Sequence, residues 1–119
     1  MTAQPLSAEQ RGWFGELADR IEAEMRRIGY WQEELPAEKE VLEGGAFGHQ
    51  AVAFPTWIQR VLLTRLRQVA AGELEPPEVS MVGTQAIREF DGDDRAYDLA
   101  SLMSDVDGLI RRLHDDAPE

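Results

Sequence analysis

The chain has no cysteine, which excludes a disulfide framework and a thiolate metal site. Its two histidines, His49 and His114, fall in an expected loop and in the tail. No Glu-x-x-His pair of the kind that builds metal centres in helical bundles occurs. No metal and no cofactor is therefore expected. The serines at 7, 80, 101 and 104 have no histidine at a readable spacing, so no nucleophile and base are paired and no catalytic residue is assigned. The glycine-rich stretch Gly44-Gly45-Ala46-Phe47-Gly48 follows no strand and precedes no lysine. It reads as a loop rather than a phosphate cradle. No apolar run approaches the roughly 20 residues that cross a bilayer. Met1 to Pro5 carries no basic run followed by an apolar one. There is no internal repeat. A cytoplasmic protein of one domain, spanning 1–119 and ordered over about 6–114, is expected.

What the chain does have is acid. Asp and Glu number 23 against 12 Lys and Arg, for a formal net charge of −11 and a pI near 4.5. The excess is uneven. Residues 54–71 carry three basic and no acidic side chains, whereas 72–92 carry one basic and five acidic ones. Direct nucleic-acid binding needs cations facing phosphates, and an anionic membrane surface needs the same. Neither partner is expected. A basic protein partner fits the charge.

Helical periodicity organises the rest. Phe54, Trp57, Ile58, Val61, Leu62, Leu66 and Val69 recur at three- and four-residue intervals, which predicts an amphipathic helix from Phe54 to Ala71 as the hub of the fold. Pro55 suits its first turn and Gly72 its end. Ser7 to Gln10 reads as a capping box. It opens a helix of about 20 residues, roughly 30 Å long, which Gly29 ends, with Phe14, Leu17, Ala18, Ile21, Met25 and Ile28 inward. Residues 30–53 form a long connection, with a helical turn over 37–42 and Phe47 as its anchor. A short helix is predicted from Thr84 to Phe90 with Ile87 and Phe90 inward. Asp93 or Asp94 caps a last helix over 94–113, and the tail from His114 is expected to fray. Three long one-sided helices and one short one bury their stripes against each other most simply as an all-α four-helix bundle. No strand pattern is present.

One residue breaks the pattern. At about 100° per residue, Arg65 projects into the apolar sector of the hub. Either its stem lies on the core with the head in water, or the guanidinium is partly buried and paired with a carboxylate. Glu89 is the first expected partner and Asp98 the second. Phe47, Trp57, Gln59, Arg65 and Glu89 together define a candidate binding groove. An exposed apolar patch near Trp57 or Trp31 would favour a homodimer.

Ala46-Phe47-Gly48, Trp57-Ile58-Gln59, Val61-Leu62-Leu63, Arg65-Leu66, the Pro77 turn and Glu89 resemble the YqcC-like family over roughly residues 10 to 113. These are small bacterial all-helical proteins, named by association with tRNA pseudouridine synthase C. The chain departs from the family pattern at His49-Gln50-Ala51-Val52, where relatives have an Asp-Thr-Met-like step, and at Thr64, where a proline is frequent. The resemblance implies a helical bundle and little chemistry. Pseudouridine synthases use a catalytic aspartate in an Arg-Leu-Asp-type motif on a larger mixed fold, and no Arg-Leu-Asp occurs here. Asp105-Val106-Asp107 reads instead as two solvated aspartates flanking a core valine. Two functions are expected from these features. The first is a non-catalytic adaptor for a protein partner, an RNA-modifying enzyme among them. The alternative is a small-ligand-binding bundle with its groove near Trp57 and Arg65.

Overall fold

A computed structural model describes residues 5–35, 37 and 53–115. Four helices and no strand occur among them. Helix α1 spans Ala8–Arg27. Helix α2 runs over 54–70 as three contiguous pieces, α-helical Phe54–Trp57, π-helical Ile58–Leu62 and α-helical Leu63–Ala70. Helix α3 is Val82–Glu89. A 3-10 turn, Asp94–Ala96, leads into α4, Tyr97–Asp115. The bundle is therefore all-α, with the long connection between α1 and α2. The expected turn over 37–42, beyond Ala37 itself, and the Phe47 anchor lie outside the described residues. His114, expected to fray, belongs to the last turn of α4.

Local chemistry sets most helix ends. The Ser7 hydroxyl accepts from the Gln10 backbone N–H while the Gln10 side chain accepts from the Ser7 N–H, so two donors of the first turn are satisfied reciprocally. At the other end Gly29 adopts φ 81°, and the Tyr30 N–H reaches the Met25 carbonyl at 2.8 Å. Few non-glycine residues accept that left-handed turn. Asp93 caps the 3-10 turn by accepting from the Arg95 N–H at 3.1 Å.

Helix α3 is capped from a distance. Met81 offers no side-chain cap. The Asp107 carboxylate, one helix away, accepts from the Val82 N–H at 3.0 Å, the Gly83 N–H at 2.8 Å and the Ser80 hydroxyl at 2.6 Å. Of the two aspartates expected in water, Asp105 is exposed while Asp107 is half-buried and structural. Gly83 makes the approach of the helices possible, since a Cβ there would lie 2.7 Å from the Ser104 Cα.

The core is one cluster drawn from all four helices. Helix α1 packs against both α2 and α4, and α3 packs on α4. The central position expected of the 54–71 segment thus belongs to α1. The reason lies in the π turn. The Leu63 N–H bonds the Ile58 carbonyl, five residues back, which inserts one residue and turns everything beyond it by about 100°. Leu63 becomes buried beside Leu66, and Arg65, placed inward by a uniform period, is exposed. The Thr64 hydroxyl donates to the Arg60 carbonyl at 2.7 Å, within the stretch that the register shift disturbs. In α3, Ala86 faces the core and Ile87 is 64% exposed, against the inward position expected for Ile87. The tight Gly83–Ser104 contact directs the small face of α3, Gly83 and Ala86, toward α4 and leaves Ile87 outside. Phe90 is half-buried against the core.

Gly83→Ala should lower stability by about 1–3 kcal/mol through overpacking against the Ser104 backbone. Gly12→Ala, in a helical position with nothing within 4 Å, should raise it by roughly 0.5–1 kcal/mol. Urea denaturation of the two variants measures both.

Candidate functional site

Two open grooves lie among the described residues. The first, of about 440 Å³, lies between α1 and α4 and includes Arg20, Glu24, Arg27, Asp98 and Asp105. Its charges largely answer each other. Arg27 bridges Glu24 at 2.5 Å and approaches Asp98 at 3.7 Å, and the Glu24 carboxyl is held below its ordinary range by that Arg27 hydrogen bond.

The second groove, of about 370 Å³, lies between the start of α2 and α3. Phe54, Trp57, Met81, Val82 and Gln85 line it. An aromatic chain forms its foundation. Phe54 stacks on Trp57 with ring centroids 5.6 Å apart and planes 8° from parallel. Phe90 tilts against Phe54 at 5.5 Å and against Tyr30 at 6.1 Å. Such pairs add roughly 0.5–1.5 kcal/mol each beyond the area they bury. The Tyr30 hydroxyl donates to Asp93, which holds its proton above the ordinary tyrosine range, and the Arg95 guanidinium lies over the ring at 5.9 Å. The end of α1, the α3–α4 turn and the start of α2 are thereby fixed to one another.

Of the five residues expected to form a groove, four are described, and they do not all line one groove. Phe47 lies outside the described residues. Trp57 is half-buried in the wall of the α2–α3 groove. Gln59 is only 7% exposed and serves the connection. Its amide donates to the Gln32 carbonyl at 2.7 Å and accepts from the Gln32 N–H at 2.9 Å, while the Gln32 side chain reaches the Thr56 hydroxyl at 2.5 Å. This pair of amide bonds imitates one rung of a sheet and ties the chain after α1 to the π turn. Arg65 is exposed on α2. Glu89 accepts from Gln85 at 2.9 Å and Asp98 lies beside Arg27. Glu89 sits one helical turn beyond Gln85 and so flanks the groove. Met81, Val82 and Gln85 were missed by periodicity, because α3 is held by Asp107 rather than by a wide apolar stripe of its own.

Arg67 joins α2 to α1, bonded to Glu22 at 2.8 Å and approaching Asp19 at 3.4 Å. Arg26 also bonds Glu22, at 2.9 Å. These hydrogen bonds, Arg26 first and Arg67 second, hold the Glu22 carboxyl below its ordinary value. Trp31 and Trp13 carry guanidinium groups over their rings, Arg26 at 4.5 Å and Arg112 at 4.9 Å. Among the described residues no three metal-ligating side chains converge, and no helix is long and apolar enough to cross a membrane.

The described residues define a small all-helical protein with one core and an open apolar groove, without a converged polar centre. The family model DUF446, described as tRNA pseudouridine synthase C, matches residues 15–109. The chain belongs to that family, in agreement with the YqcC-like resemblance of its motifs. No curated protein and no solved structure matches it.

Gln59→Leu keeps the volume but leaves the Gln32 N–H and carbonyl unpaired. It should cost about 1–3 kcal/mol in urea denaturation. Glu22 gives a pH signature. A carboxyl held below its ordinary value of 4.5 stabilises the folded chain fully above that value, and the contribution disappears as pH falls through the folded-state value. The difference in urea midpoint between the parent chain and Glu22→Gln should therefore shrink between about pH 6 and about pH 3.

Proposed function

We propose that this protein is a non-catalytic interaction module that binds a protein partner through its acidic surface, and that the partner is an RNA-modifying enzyme of the tRNA pseudouridine synthase kind. The observation that carries the reading is the charge. A formal −11 on 119 residues leaves exposed acids on α1, α3 and α4, together with the acidic stretch 73–78 before α3. An enzyme that grips RNA presents cations for phosphate contacts, and an acidic module complements such a surface. The description attached to the family supports the choice of enzyme. The missing Arg-Leu-Asp step supports a role beside the reaction rather than in it.

A second reading has one observation in its favour. The α2–α3 groove of about 370 Å³ lies within the size range of small-molecule sites, roughly 300–1,000 Å³. On that reading a metabolite panel would raise the melting temperature of the chain.

Affinity capture from the native cell at low and high salt separates the two. The adaptor reading expects an RNA-modifying enzyme to be retained at about 0.1 M salt and lost near 1 M, where the screening length falls to about 3 Å. Capture unchanged at high salt, or conversion of uridine in tRNA by the purified chain alone, would overturn it.

A further inference from the structure

We propose that the groove between α2 and α3 is a docking site for a basic amphipathic helix of a partner protein. This rests on the interaction reading above and gives it a place and a ligand chemistry. The floor is apolar, with Phe54 buried and stacked on Trp57. The opposite wall is α3, where Met81, Val82 and Gln85 face the groove. Met81 is 62% exposed, an apolar side chain left at the rim. Helix α3 has eight residues, about 12 Å or two turns. That length suits the i, i+3, i+4, i+7 anchors of a helix laid in a groove. Tryptophan at the centre and methionine at the rim suit the task. One is a large rigid anchor, and the other adapts its shape to what it meets.

Charge selects the occupant. The segment 72–92 that carries α3 holds five acidic side chains and one basic one. All five acids, Glu73, Glu75, Glu78, Glu89 and Asp91, are exposed. Glu89 is tied to the groove wall by its bond from Gln85. A second copy of the chain would bring its own Glu89 to the same rim, and like charges so placed cost affinity. An acidic membrane surface or a nucleic acid is repelled for the same reason. A helix with an apolar stripe and a cationic flank satisfies both the floor and the rim.

The test is an NMR titration of the full chain with a synthetic helix of about five turns, leucine on one face and lysine on the other, against a scrambled isomer of identical composition. Shifts are expected to gather at the Trp57 indole, the Met81 methyl, Val82 and Gln85, with the scrambled isomer binding at least about tenfold more weakly. Glu89→Lys and Met81→Lys should each weaken binding about tenfold. Glu16→Lys, on an exposed position of α1, alters net charge as much as Glu89→Lys does and should leave affinity within about twofold. Equal binding of the scrambled isomer, equal loss in Glu16→Lys and Glu89→Lys, shifts gathered in the α1–α4 groove, or concentration-dependent self-association through Met81 without peptide would each overturn the docking site. A captured enzyme that still binds Glu89→Lys and Met81→Lys would likewise overturn it while leaving the interaction reading intact.

Discussion

Phe14, Ala18, Ile21 and Met25 on one face of α1 are 0% exposed, and both other long helices lean on that helix. Burying a large apolar side chain contributes on the order of 1.5–3 kcal/mol, so this face supplies a large share of what holds the bundle. Helix α1 can act as the shared wall because its stripe keeps a single phase over 20 residues. Its ends are set locally by a reciprocal cap and a glycine turn. Helix α2 cannot take that role, since its inward face changes direction midway.

Three polar tethers complete what the apolar core leaves open. Gln59 holds the chain at Gln32, Tyr30 holds Asp93, and Asp107 holds the start of α3. Each links residues far apart in sequence, and each sits where irregular backbone would otherwise lack partners. Together they fix how far α3 stands from the start of α2, and hence the width of the groove over Trp57. The charge pattern works in the same direction. Arg67, on a segment with a positive excess, bonds Glu22 and approaches Asp19 across the α1–α2 seam. Exposed pairs of this kind contribute roughly 0–1 kcal/mol each. They orient the seam more than they stabilise it.

Much of the fold was legible in the residues. The capping box at Ser7, the turn at Gly29 and the Asp93 cap all follow from short-range rules that need no knowledge of the rest of the chain. The all-helical class followed from the one-sided stripes. Arg65 and Ile87 were misplaced for a common reason, because periodicity assumes an unbroken helix and a core-facing stripe of large side chains. One inserted residue defeats the first assumption and a glycine contact defeats the second. The candidate site was legible only at Trp57, with Glu89 at its flank. Gln59 was expected in the groove because nothing local points to its partner, Gln32, 27 residues away. Asp107 looked solvated because the N–H groups it serves belong to another helix.

The π turn in α2 has a consequence for how one rod can serve two neighbours. A helix of uniform pitch presents a single apolar address, so everything it touches must lie along one line. The extra residue between Ile58 and Leu62 splits that address. The portion up to Gln59 answers to the connection and the aromatic chain, and the portion from Leu63 onward answers to α1. A single uninterrupted span thereby does the work of two differently aimed helices, with no loop between them to be ordered.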